Sequence, residues 1–488
     1  MTAVRFTRLV SVLTAVAVAL AVMSGTAQAK PAPHPYRLID PGTLGGPQSF
    51  MNLPGFPITP AGALLGTADT SVGDDDFPNF NPFVVGFPDP FTAHAFSWRN
   101  GQMTDLGALP GNNSSAVFQV NRWGVGAGLS ETGEIDPISG WPAMHAVTFA
   151  EGQVTDLGTL PGGTESLALA INDRGQVAGF GNNDVEDPWG SFFFDDNAFT
   201  TQTHSFVWEK GVMRDIGTLG GPDAVVGAMN ARGQLSGTSF TDSTPNDTTG
   251  IPTVDPFLWE KGRMRDLGSL GGTISVVSGM NDTGQVAGFT TFEGDETGDA
   301  FLWDGKRLRD LGTLGGDFSF ANAVNGAGHV TGISSLPDGT THAFLWADGK
   351  LRDLPPPEGA PCASGFAINN DDDVVGAADD CEGNQLAAVL WHKGVPYDLS
   401  TLIGPTDLTL GEFEYIDDEG EIAGRAALPG GDVHEVVLVP ALHGGPAGVE
   451  RIRPQRLTAE AEREADAADY GCSSLPKASI RALRCVGR

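Results

Sequence analysis

Residues 300–332 read AFLWDGKRLRDLGTLGGDFSFANAVNGAGHVTG. Four short apolar or alternating segments, AFLW, RLRDLG, SFANAVN and HVTG, are separated by Asp-Gly, Gly-Gly and Gly-Ala-Gly turns. Two-residue alternation with turn residues at this spacing is a strand signal, so the stretch predicts a four-stranded antiparallel unit. In AFLW, Phe301 and Trp303 point one way and Leu302 the other. Both faces are apolar, as expected of a strand covered on both sides.

The unit recurs eight times. An Asp-Leu-Gly landmark or a relative begins at Asp40, Asp105, Asp156, Asp215, Asp266, Asp310, Asp353 and Asp398. An aromatic strand ends at Trp98, Phe149, Trp208, Trp259, Trp303, Trp346, Trp391 and Leu438, and these residues are read as structural repeat positions. A hairpin after Asn appears as INDRGQVAG (171–179), MNDTGQVAG (280–288) and VNGAGHVTG (324–332), with the Asn expected to form an Asx turn.

HAFLW, DLGTLGG and INDxGQVAG resemble the repeats of the HAF-repeat family of bacterial extracellular proteins, across roughly residues 36–440. The resemblance implies an extracellular repeat protein and brings no catalytic residues with it. Four strands in about 45 residues is the size of a propeller blade. The array begins mid-unit at Tyr36 and ends with the missing strand, HEVVLVP (434–440), so the two ends are expected to complete one blade. The fold expected is all-β: a β-propeller of four-stranded antiparallel blades, eight in number with seven as the alternative, followed by a short helical, disulfide-bonded tail. The domain reading is 1–29 signal peptide, 30–35 leader, 36–445 propeller and 446–488 tail.

Arg5 and Arg8, the apolar run from Leu9 to Met23 and the Ala27-Gln28-Ala29 site read as a secretory signal, so a secreted, extracellular protein is expected. No later run is apolar enough for a membrane span. A formal charge of −33 and a pI of 4.4 exclude nucleic-acid phosphates as partners. The chain is expected to be a monomer. In the hairpin 363–380, pairing of Asn369 with Val374 would set Cys362 opposite Cys381, predicting a disulfide. Cys472 and Cys485 are expected to pair in the tail, consistent with an exported chain.

The connection after the hairpin glycine is short in units 5 to 8 and far longer in units 1 to 4. Segments 69–92 and 181–203 are rich in Phe and Asp, and loops on a rigid scaffold are where function concentrates. Asp75, Phe80, Phe83, Asp187, Trp189, Phe193 and Asp195 are the candidate ligand-binding residues, for a protein or a glycan. The competing reading has these aromatics pinning long loops to the scaffold. Nucleophile-elbow, HExxH and Walker A motifs are absent, so no catalytic residue is assigned. A non-catalytic binding or scaffold protein is expected, with a glycan hydrolase or lyase using loop carboxylates as the alternative.

No cofactor is expected. Calcium is carried as an alternative, with Asp74–Asp76 and Asp195-Asp196 as its candidates. His94, His145, His204, His342 and His434 share one repeat position, filled by Asp255, Asp299 and Ala387 elsewhere. A residue repeated in most units serves the unit, so a structural role is expected over a ring of metal ligands.

Overall fold

A computed structural model describes residues 33–51, 57–59, 62–84, 88–193, 200–441 and 449–451. Eight sheets of consecutive antiparallel strands form a ring of blades. Blade 1 spans 45–107, blade 2 115–156, blade 3 166–215, blade 4 224–266, blade 5 271–310, blade 6 319–354 and blade 7 362–398. Blade 8 joins 409–440 to the N-terminal strand Tyr36–Asp40, with Leu38 opposite Leu438 and Ile39 opposite Val437. The seven-bladed alternative therefore falls away. The segment Val449–Arg451 adds a parallel fifth strand outside Tyr36–Asp40.

The first strand of each blade lines the axis, a point the repeat pattern left open. First strands are largely buried, as in Ser319–Val324, and from blade 2 to blade 8 consecutive first strands touch one another. Fourth strands such as Arg263–Asp266 are mostly exposed and form the rim. The third strand carries the aromatic landmark. Leu302 packs with Ala321 and Phe344 of blade 6, while Phe301 and Trp303 pack with Leu258 of blade 4. Burying each such side chain contributes roughly 2–3 kcal/mol, repeated around the ring. Trp98, Trp303 and Trp391 are buried in the same way, whereas Trp208, Trp259 and Trp346 are half-buried.

A β-bulge interrupts the first strand in blades 2 to 8, for example between Ala321 and Ala323. The bulge swings a first-strand carbonyl over the second strand, where the repeat has Gly. A Cβ on Gly332 would run into the Phe320 carbonyl, and one on Gly179 into that of Leu167. The register expected in blade 7 is corrected twice. Ile368, not Asn369, pairs with Val374, and the bulge between Gly365 and Ala367 shifts the ladder by one more residue, so Cys362 faces Asp379, two residues from Cys381. The Cys362–Cys381 disulfide nevertheless forms, with Cα atoms 5.2 Å apart, because Cys381 turns back at φ +67°. The expected tail helix and the Cys472–Cys485 pair lie outside the described residues.

The Asn hairpins tie blades together on one face. Asn281 accepts from the N–H groups of Thr283 and Gln285, closing the expected Asx turn, and its Nδ2 donates to the Asn325 carbonyl at 2.9 Å. Asn325 repeats the bond to Asn369, and Asn369 to Asp417. One residue type thus caps its own turn and clasps the next blade. Among the described residues no helix is long and apolar enough to cross a membrane.

Candidate functional site

Strand order decides which loops share a face. Second-to-third-strand loops and the links between blades lie on one side, here the loop face, and both tight hairpins of each blade lie on the other. In blades 1 to 3 the second strand runs ten residues, Leu64–Gly73, Gly126–Ile135 and Val177–Glu186, against six in blade 6. The last three residues of each extension are exposed. Val72, Ile135 and Val185 stand 50%, 51% and 48% exposed there, one per blade.

Below these extensions the long loops fold inward. Asn81 Nδ2 of the blade 1 loop donates to the Pro142 carbonyl at 2.9 Å and to Glu165 Oε1 at 3.3 Å. Val84 is buried with Phe118, Met144 and Leu167, and Phe83 meets Phe180 edge-on at 6.2 Å. In the blade 3 loop a 3-10 turn, Gly190–Phe192, leads into Phe193. Phe192 and Phe193 pack on Phe240 of blade 4, with Trp189 beside them.

The sequence-derived candidates are thus divided. Asp75 is exposed and Phe80 half-buried. Phe83 is half-buried and packs toward blade 3, while Asp187, Trp189 and Phe193 gather at the junction of blades 3 and 4. Asp195 lies outside the described residues. The packed Phe83 and Phe193 match the reading in which aromatics pin the loops.

A groove of about 530 Å³ opens on blade 2 between its links to blades 1 and 3, lined by Glu134, Ile135, Asp136, Pro137, His145 and Asp156 among others. The loop of unit 2 is the shortest of the four and lacks the Phe-rich signature, so sequence reasoning passed over Glu134 and Asp136. The only cue was a carboxylate pattern, GEID, at the end of a lengthened strand.

The repeated histidines each bond an aspartate of their own blade, and His204 and His434 also donate to the carbonyls of Pro222, in the link to blade 4, and Pro47, in blade 1. His145 Nδ1 lies 2.9 Å from Asp156, His204 2.6 Å from Asp215, and His342 2.8 Å from Asp353. His434 makes the same pair with Asp40 at 2.8 Å across the two ends of the chain. The bond to His145 holds the Asp156 carboxyl below the usual carboxylate range. In blades 4 and 5 an Asp replaces the histidine. Burial, then the facing Asp266 and Asp310, push Asp255 and Asp299 up to about 7.

Buried acids cluster beneath the loop face. Asp69 Oδ2, Glu131 Oε2 and Asn182 Oδ1 sit at one repeat position and accept N–H groups at the start of the first strand, from Gln48, Ser114 and Glu165. Burial, then Asp136, pushes Glu165 up to about 8. Burial and contact with Asp187 push Asp223 up to about 9. Among the described residues one group of three His, Cys, Asp or Glu ligand atoms comes together, Cys362, Asp379 and Cys381, and its sulfurs are joined in the disulfide.

On the hairpin face, a cavity of about 530 Å³ is lined by Asn325, Asn369, Tyr415, Asp417, Asp418 and Glu419 among others. Asp417 accepts from Glu421 N–H at 2.8 Å, which is the turn chemistry its sequence suggested.

No protein-family model matches this sequence, and no curated protein matches it. Among solved structures, the chain is similar to a Mycobacterium tuberculosis puromycin-hydrolyzing peptidase, at 13% identity and a TM-score of 0.41, covering 82% of this chain and 62% of that one. It is also similar to Porphyromonas gingivalis dipeptidyl peptidase 4, at 11% identity and a TM-score of 0.44, covering 79% and 59%. A PL25 ulvan lyase gives 12% identity and a TM-score of 0.32, covering 81% and 84%. The chain thus spans about six tenths of the length of both peptidases. At these scores the likenesses carry no argument about chemistry.

Proposed function

We propose that this protein is a secreted, non-catalytic binding or scaffold propeller of the HAF-repeat kind, recognising a basic protein or a glycan through the loop face of blades 1 to 4. One observation carries the reading: three adjacent blades extend the same strand and expose Val72, Ile135 and Val185 at its end. The repeat needs no such extension, since blades 4 to 8 do without it. Exposed apolar residues set among carboxylates suit a partner with an apolar surface and basic edges. The charge of −33 would steer that partner inward. A second reading, a glycan hydrolase or lyase, is supported by the groove that gathers Glu134, Asp136 and the His145–Asp156 pair.

The test is binding of the mature chain to a glycan array and to a panel of basic proteins. The Ile135→Asp/Val185→Asp double variant serves as the probe, after its melting temperature is matched to the wild type. At least a tenfold loss of affinity is expected. Affinity unchanged in the double variant overturns the assignment of the face. Product formation from a bound glycan, lost in Glu134→Gln, would establish the enzyme reading.

A further inference from the structure

At the junction of blades 3 and 4, four buried side chains meet beneath the loop. Asp187 follows the extended strand Val177–Glu186 and is tied to the next strand by its N–H, which donates to the Thr200 carbonyl at 3.0 Å. That places it beside Thr201. Asp223 precedes the first strand of blade 4, and its Oδ1 accepts the Thr203 N–H at 2.6 Å. Thr201, Thr203 and Ser205 alternate onto one face of the strand Thr201–Glu209. Ser205 bonds the carbonyl of Ala224 and the N–H of Val226, so this face turns to the segment carrying Asp223. The carboxyls of Asp187 and Asp223 are in contact.

All four side chains are more than nine-tenths buried. With both carboxyls ionised, five of their oxygens have no hydrogen-bond partner among the described residues: both of Asp187, Oδ2 of Asp223, and the hydroxyls of Thr201 and Thr203. A proton shared between Asp187 and Asp223 would satisfy the carboxyls and leave both hydroxyls unmet. An orphan buried oxygen is destabilising, and an uncompensated buried carboxylate more so. Five in one place call for a shared partner. The donor set is all oxygen and carries two carboxylates, which suits a hard divalent cation. Oxygens arranged around Ca²⁺ at about 2.3–2.6 Å bond the ion and stand apart from one another, so hydroxyls left unpaired beside carboxylates fit that arrangement. Mg²⁺ keeps several waters and suits this enclosed set of protein oxygens less well.

We infer that Asp187, Asp223, Thr201 and Thr203 form a calcium site that fastens the blade 3 loop to blade 4. The residues differ from the Asp74–Asp76 and Asp195-Asp196 clusters that the sequence singled out. The ion would neutralise the carboxyl pair and set the position of the loop from Asp187 through Phe193.

The test uses the mature chain stripped with chelator and titrated with Ca²⁺ at pH 7 by calorimetry, with melting followed in parallel. Saturable binding is expected, with a rise in melting temperature of several degrees that chelator reverses. The Asp187→Asn/Asp223→Asn variant should lose this binding, and Thr203→Val, which keeps the volume, should weaken it about tenfold. Glu165→Gln, one blade away, should bind like the wild type. No saturable binding up to millimolar Ca²⁺ overturns the inference. So does binding that survives both Asp187→Asn/Asp223→Asn and Thr203→Val at wild-type affinity. Should the double variant fail to fold, Thr203→Val alone decides.

Discussion

Glu165 gives the sharpest test of the buried acids. Its side chain is fully buried where the blade 1 loop crosses toward blade 3, and its carboxyl is pushed up to about 8 by burial and by Asp136. A raised carboxyl pKa means the folded protein binds a proton that the unfolded chain, at an ordinary 4.5, has released. Stability therefore falls as pH rises from 4.5 to 8, by about 1.4 kcal/mol per pH unit. At pH 7 the window crossed is 7 − 4.5, so the penalty is on the order of 3 kcal/mol.

Glu165→Gln removes this titration and keeps the shape. The amide oxygen still accepts from Asn81 and Met144, and the amide N–H groups can donate toward Asp136. With about 2.1 cal/mol/K of unfolding entropy per residue over roughly 400 residues, 3 kcal/mol corresponds to about 4 °C. Scanning calorimetry of both proteins at half-unit steps from pH 4 to 8 is the assay. The variant should match the wild type near pH 4 and gain on it steadily to pH 8. A gap independent of pH, or a variant less stable at pH 7 than at pH 4 relative to the wild type, would refute the reasoning.

Two further outcomes are expected. Gly332→Ala should cost about 2–3 kcal/mol in chemical denaturation, because its Cβ must displace the Phe320 carbonyl at the bulge. An unchanged midpoint would mean the bulge does not demand glycine. Asp299→His should restore the histidine–aspartate pair found in five blades and raise the melting temperature at pH 7. The native Asp299 has a folded pKa raised to about 7, so its stabilising proton is present at low pH and lost through neutrality. The advantage of histidine should accordingly shrink toward pH 5, and a constant advantage would rule out the titration as its source.

Much of the architecture can be read from local chemistry. The aromatic strands, the Asp of DLG bonding the Gly two residues on, and the Asn turns all act over a few residues. Their eightfold recurrence leaves few folds to choose from. The mid-unit start at Tyr36 and the end at Pro440 implied that the extremities meet, and Leu38 does lie opposite Leu438. The Cys362–Cys381 bond was legible too, although its register was not, since the hairpin pairs Ile368 and not Asn369 with Val374 and one bulge residue moves every pair beyond it again.

What remained hidden depends on neighbours far along the chain. Composition marked Phe193 and Asp187 as unusual, but only the packed ring shows that Phe193 lies under the loop against Phe240 and that Asp187 meets Asp223. The groove beside Glu134 is lined by the blade 2 loop and by the links on either side of that blade, and no spacing within one repeat encodes that meeting. A repeat specifies its own hydrogen bonds because they close within a few residues. Whether a carboxylate is buried and what stands across from it depends on the blade next door, which only closure of the ring brings into place.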